Sequence, residues 1–196
     1  MIVFLHGFNS GGNGQKARWL RQALAPVPVF TPTYTPHRAD AALAQLRKFI
    51  RRLRRENPQD RKLLLIGSSL GGFWAHYLAP EFRAGIVLIN PSREPDVSLR
   101  RALGVTQNEV TGGETRLGEE DLAALARYRR VPGQPSLPTL VLLDEADELL
   151  DARATADAFK GCGQTLLFPG GHHRFAHLPE SLPAIQALYN SLEPSP

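Results

Sequence analysis

Three short stretches of this chain hold residues able to do covalent chemistry. Ser69 stands in Gly67-Ser68-Ser69-Leu70-Gly71, an acidic run holds Asp144, Glu145, Asp147, Glu148 and Asp151, and His172-His173 follows Gly170-Gly171. A hydroxyl is a poor nucleophile near neutral pH. It becomes a good one when an imidazole accepts its proton and a carboxylate orients that imidazole. Serine, acid and histidine occur here in that chain order, so the chemistry they suggest is acyl transfer through a serine ester.

The residues within each stretch are not equivalent. Ser69 holds the central position of Gly-x-Ser-x-Gly and Ser68 its variable one, so Ser69 is the expected nucleophile. His173 is the expected base, since only one of two adjacent histidines can point at the serine. Asp147, a few residues past a strand, is the expected orienting acid. Asp144 and Glu145 remain alternatives, and Asp151 reads as the N-cap of a following helix. His37, His76 and His177 read as surface or packing residues. The histidine pair lacks the further ligands of a zinc site, and no H-E-x-x-H or paired cysteine occurs, so no metal or organic cofactor is expected.

Attack on a carbonyl places negative charge on oxygen, which preorganised amides stabilise. The amide of Leu70, directly after the nucleophile, is one expected donor. The other is Phe8, in the glycine-rich loop His6-Gly7-Phe8-Asn9-Ser10-Gly11-Gly12. In the same loop His6, Gly7 and Asn9 are candidate substrate contacts.

Positioning these groups requires strands that end where they begin. Short β-branched or Leu-rich runs at 2–5, 27–30, 62–66, 85–89, 139–143 and 165–168 read as strands. Helical patterns lie between and after them, at 15–24, 39–55, 70–78, 119–128, 151–159 and 179–192. This alternation predicts an α/β fold: a doubly wound, mostly parallel six-stranded sheet in the order 2-1-3-4-5-6. Ligands of such sheets bind at the carboxyl ends of the strands, and each candidate group follows one. The strand-turn-helix setting of Ser69 and the chain order of the three groups are those of the α/β-hydrolase fold. One domain over 1–196 is expected, without a large cap. The interval 91–138, interrupted by Pro91, Pro95, Gly104, Gly112, Gly113, Gly118, Pro132, Gly133 and Pro135, is expected to form a substrate wall or lid.

Composition narrows the partners. The hydrophobic share of 42% and charged share of 21% are those of an ordinary globular protein. No apolar run approaches the roughly 20 residues that span a bilayer, Cys162 is the single cysteine, and a strand pattern begins at the first residues, so a cytoplasmic protein is expected. The net charge of +4 comes largely from 47–62. There Leu43, Leu46, Ile50 and Leu53 form the apolar stripe of a helix whose cations face water. A solvated face explains this better than nucleic-acid binding. The expected partner is a small acyl ester, with an acyl-CoA thioester as the alternative the basic helix motivates. A hydrolase-fold module that binds without turnover is the alternative of another class.

Five segments together resemble a known family: Leu5-His6-Gly7-Phe8-Asn9-Ser10, Gly67-Ser68-Ser69-Leu70-Gly71-Gly72, Asn90-Pro91, Asp147-Glu148-Leu149-Leu150-Asp151 and Gly170-Gly171-His172-His173-Arg174-Phe175. They look like the YqiA/YcfP-type bacterial esterases. The resemblance implies a small α/β-hydrolase without a large cap, a triad of Ser69, Asp147 and His173, and action on short-chain esters or acyl-CoA thioesters.

Overall fold

The computed structural model describes residues 1–134 and 136–193; Pro135, expected within the irregular interval, and 194–196 lie outside the described residues. Apolar side chains alternate along the central strands and feed two separate cores. From β1 (Ile2–Leu5), β3 (Leu64–Ser68), β4 (Gly85–Ile89) and β7 (Thr139–Asp144), one core takes Val3, Leu5, Leu65, Ile86, Leu88, Val141 and Leu143. The other takes Ile2, Phe4, Leu64, Ile66, Val87, Ile89, Leu140 and Leu142. Because successive side chains point to opposite faces, strands apolar at every position must be covered on both sides.

The sheet is parallel and six-stranded, in the order β2-β1-β3-β4-β7-β8, with β2 at Val29–Phe30 and β8 at Gln164–Phe168. This is the expected order, with the fifth and sixth strands now β7 and β8. Helices α1 (Gln15–Ala23) and α7 (Leu178–Ser191) bury Ala17, Leu20, Leu178 and Ile185 on one face. On the other lie α2 (Ala39–Glu56), α3 (Leu70–Phe82), α5 (Glu119–Ala126) and α6 (Ala152–Ala158). In α2 the buried set is Ala39, Ala42, Leu43, Leu46, Ile50 and Leu53, the stripe read from the sequence. The fully buried indole of Trp74 in α3 donates to the Pro36 carbonyl at 2.8 Å, so its one polar atom is satisfied.

Two departures from expectation have local causes. The second strand is two residues long, because Pro26 and Pro28 interrupt it and proline has no ladder donor. The interval 91–138 is more ordered than its glycines and prolines suggest. It contains a short helix α4 (Pro95–Ser98), a 3-10 turn at Arg100–Ala102 and an antiparallel hairpin, β5 (Gly104–Gln107) with β6 (Glu114–Leu117), before α5. The hairpin is fastened to the loop after β1. Asn9 Nδ2 donates to Thr106 Oγ1 at 2.8 Å, the Glu109 amide to the Asn9 carbonyl at 3.0 Å, and Asn108 Nδ2 to the Ser10 carbonyl at 2.9 Å.

Leu46→Ala is expected to lower unfolding stability by about 2–5 kcal/mol through loss of buried volume. Lys48→Ala, on the wet face, should change it by under about 0.5 kcal/mol; urea denaturation of both variants checks the assignment. Burial, followed by the charge of Arg130, pushes the pKa of His76 down to about 4. The folded state then holds fewer protons than the unfolded chain between about pH 4 and 6.5, so stability should fall as pH drops through that window. Melting temperatures across that range should show the fall for the native protein and a shallower one for His76→Leu.

Candidate active site

Ser69 sits where β3 turns into α3, with φ 54° and ψ −120°. A non-glycine residue in this region is strained and persists only where its surroundings impose it. Here the Ser69 amide donates to the Ile89 carbonyl at 3.0 Å, and the Ser69 carbonyl accepts from the amides of Gly72 (2.9 Å), Ser92 (3.1 Å) and Phe73 (3.3 Å). Gly67 and Gly71 permit the turn by lacking side chains. A Cβ on Gly67 would overlap the Gly71 carbonyl, and one on Gly71 the carbonyl of Leu5. The turn thus packs directly on the end of β1.

The three expected groups meet at this turn. His173 Nε2 lies 3.0 Å from Ser69 Oγ, and His173 Nδ1 lies 2.9 and 3.0 Å from the two Asp147 carboxylate oxygens. The side chain of Asp147 is 1% exposed and that of His173 15%. One Asp147 oxygen also accepts the amides of Leu149 at 2.8 Å and Leu150 at 2.9 Å, which fixes the carboxylate. With that acceptor on Nδ1, the neutral imidazole carries its proton there, leaving Nε2 to accept from the serine hydroxyl. The His173 amide donates to Glu148 at 2.9 Å and is the main reason the Glu148 carboxyl titrates below its usual range.

The competing residues are engaged elsewhere. Glu145 pairs with Arg153, Asp151 caps α6 by accepting the Ala154 amide at 2.8 Å, and the His172 side chain is exposed. Asp144 is fully buried and organises the histidine loop. It accepts the amides of Ala176 (2.6 Å) and His172 (3.1 Å), and its other oxygen lies 2.7 Å from His177 Nδ1. Asn90, at the end of β4, takes the Asp144 amide at 2.9 Å and donates to the carbonyls of His172 and His173 at 3.1 and 3.2 Å. The roles of Asn90 and His177 were not read from the sequence. A lone Asn or His carries no spacing signal, and both act across more than 30 residues of chain.

The loop after β1 stands opposite. A Cβ on Gly7 would lie 3.3 Å from Ser69 Cβ and 3.8 Å from the Leu70 amide nitrogen, so this backbone closely approaches the turn. Among the described residues neither the Phe8 nor the Leu70 amide donates to a protein carbonyl. His6 is placed beneath the loop rather than in the cleft. It is 1% exposed, with Nδ1 2.9 Å from the Gly7 carbonyl, Nε2 accepting the Tyr34 amide at 3.3 Å, and a pKa lowered by burial. Among the described residues no three His, Cys, Asp or Glu side chains gather as a metal site requires.

The sequence matches the model of an uncharacterised protein family, UPF0227, over residues 1–190. The chain belongs to the UPF0227 family. The YqiA/YcfP-type proteins it resembles in sequence belong to the same family. A UPF0227 relative from Vibrio atlanticus (strain LGP32) is 27% identical over 97% of this chain and 100% of its own length. Another, from Shewanella woodyi, is 27% identical over 96% and 98%.

Among solved structures, Est1E from Butyrivibrio proteoclasticus superposes with a TM-score of 0.70 at 16% identity, covering 96% of this chain and 85% of its own. A monoacylglycerol lipase from Paleococcus ferrophilus gives 0.70 at 16%, covering 96% and 93%. Mouse alpha/beta hydrolase domain-containing protein 10 gives 0.69 at 17%, covering 98% and 90%. The fold is that of the α/β-hydrolases, with no large cap.

Removing the buried carboxylate of Asp144 leaves two backbone amides and the His177 ring without their acceptor. Asp144→Ala should therefore cost about 3–5 kcal/mol of stability, as loss of one partner of a buried ionic network does. Glu145→Ala removes only an ion pair with Arg153, whose side chain is 75% exposed, and belongs to the class of changes worth under about 0.5 kcal/mol. Denaturant titration separates them.

Proposed function

We propose that the protein is a serine hydrolase of small carboxylic esters, working through Ser69, His173 and Asp147. The observation that carries this reading is the continuous chain of contacts from Ser69 Oγ through both ring nitrogens of His173 to a buried carboxylate. His173 Nε2 takes the proton as Ser69 Oγ attacks the ester carbonyl, and the amides of Phe8 and Leu70 receive the oxyanion. His173 then returns the proton to the departing alcohol. Water, deprotonated by the same nitrogen, cleaves the acyl-enzyme and restores the serine. Asp147 keeps its charge throughout, holding the ring in the Nδ1–H form and stabilising the imidazolium. The hairpin and 3-10 turn of 91–138 form the wall of the substrate cleft, without a separate cap.

The oxygen ester is preferred over an acyl-CoA thioester because the basic helix is largely committed to its own surroundings. Arg47 and Arg51 pair with Glu81, Arg52 lies 3.7 Å from Glu56, and Arg54 donates to the Phe82 carbonyl. The same pairing disfavours the nucleic-acid reading.

A fluorophosphonate probe is expected to label Ser69 alone, as peptide mapping by mass spectrometry would show. Ser69→Ala and Asp147→Asn should each lower kcat for p-nitrophenyl acetate by about 10³-fold or more, while Glu145→Gln stays within about twofold. Full activity in Ser69→Ala, or an adduct elsewhere, would sink the mechanism.

A further inference from the structure

One cation near the site is directed at a single backbone carbonyl. Lys16 is the second residue of α1, and its half-buried ammonium donates to the carbonyl of Arg174, 158 residues along the chain. Neither its place in the helix nor its burial favours a charge. The first turn of a helix carries the positive end of the dipole, and that of α1 holds no acidic residue. Burial, opposed in part by the Asp144 carboxylate and reinforced by the Arg174 charge, pushes the pKa of Lys16 down to about 8. Those two charges have partners of their own, Asp144 with His177 at 2.7 Å and Arg174 with Glu109 at 2.9 Å. Local preference is overridden in this way chiefly at functional or strained sites, and strain lies at the other end of the bond.

The Arg174 carbonyl belongs to the peptide that leads into Phe175, whose φ is 66°. A bulky side chain rarely enters this left-handed region, and stays there only where its surroundings fix the peptide. Here both ends of the peptide are held. Its N–H donates to the His172 carbonyl at 2.8 Å, and its C=O accepts from Lys16. The Phe175 ring is buried in the core that α1 and α7 cover, so rotation of the peptide plane is the movement left to relieve the strain. That rotation changes ψ of Arg174 with φ of Phe175 and is passed to the residue before, His173. The peptides on either side of His173 are held by Glu148 at 2.9 Å and Asn90 at 3.2 Å. Lys16 holds the next, the one that enters the strained residue.

We propose that Lys16 is a positioning residue: its ammonium locks the Arg174–Phe175 peptide in the orientation the strained loop needs, and so keeps His173 Nε2 within hydrogen-bonding distance of Ser69 Oγ. The assignment rests on the ester-hydrolase reading for its effect on turnover, but not for its effect on the histidine.

The charged ammonium is the effective form. It is a stronger donor than the neutral amine, and it is a counter-charge to Asp144, whose carboxylate holds the His172 and Ala176 amides of the same loop. Loss of its proton loosens the loop without unfolding the protein. With the folded pKa below the ordinary one, the unfolded chain holds more protons between about pH 8 and 10.5, so the contribution of Lys16 to stability rises with pH there.

Steady-state kinetics with p-nitrophenyl acetate, beside the low-field 1H resonance of His173 Nδ1–H, tests the proposal. Lys16→Met should lower kcat about tenfold or more with KM within about twofold, and should shift or broaden that resonance. Lys16→Arg, which keeps a charged donor, should recover most of the native kcat near neutral pH. In the native protein kcat should fall above about pH 8 with no matching fall in melting temperature. In Lys16→Arg that fall should be absent, since a guanidinium keeps its proton. A lysine of purely structural role would lower the melting temperature of Lys16→Met and leave its kcat and the His173 resonance as in the native protein. That result overturns the proposal, as does a change confined to KM. If Lys16→Met does not fold, the native pH profile decides, and a kcat that holds level above pH 8 overturns the proposal. If the native protein turns over neither p-nitrophenyl acetate nor the butyrate, the hydrolase reading fails, while the His173 resonance in Lys16→Met still decides the positioning.

Discussion

The backbone of Ser69 is the constraint on which the rest of the rim depends. Its φ of 54° costs on the order of 1–3 kcal/mol, and the strain is offset by bonds to β4, α3 and Ser92. The amide is held by the end of β4, and the carbonyl gathers three amides, two from α3 and one from Ser92. Because Gly71 packs on the carbonyl of Leu5, the same turn sets how closely the loop after β1 approaches. A side chain at either flanking glycine would therefore displace not only the serine but also the loop facing it.

Two aspartates three residues apart divide the work at the end of β7. Asp144 ends the strand, where its side chain is enclosed and its oxygens meet backbone amides and His177. Asp147 lies past the following turn, its amide bonded to the Asp144 carbonyl at 3.1 Å, and reaches His173. One carboxylate shapes the loop that the other's histidine comes from. Asn90 ties Asp144 and the histidine loop to β4, so the geometry around His173 is fixed from several strands at once. Such support from packed strands, rather than from loops alone, is what holds reacting groups within a fraction of an ångström.

The hairpin adds a second kind of order. Its contacts run to Asn9 and Ser10 on one side and, through Glu109 and Arg174, to the histidine loop on the other. The Glu109–Arg174 pair is exposed and contributes little stability. The bonds to Asn9 and Ser10 are more sheltered and give the loop after β1 its outer support. The backbone of an irregular loop needs partners, and the hairpin brings asparagines and threonines to supply them.

The fold was legible because its signals are local and periodic. Strands apolar at every position demand cover on both faces, and the stripe of Leu43, Leu46, Ile50 and Leu53 marks the buried side of α2. Gly-x-Ser-x-Gly between a strand and a helix likewise marks a turn that glycine must form. The hairpin at 104–117 was not legible, since its strands carry few buried side chains and its glycines read as loop. The sequence alone determined the strand order and the chain order of serine, acid and histidine, because both follow from short-range pattern and crossover handedness. Only the tertiary structure decided which carboxylate meets His173, that His6 is buried under Tyr34, and that Lys16 reaches the Arg174 carbonyl. Four carboxylates in five residues are alike to a sequence; what separates them is the direction each side chain takes once β7 ends, and packing sets that direction.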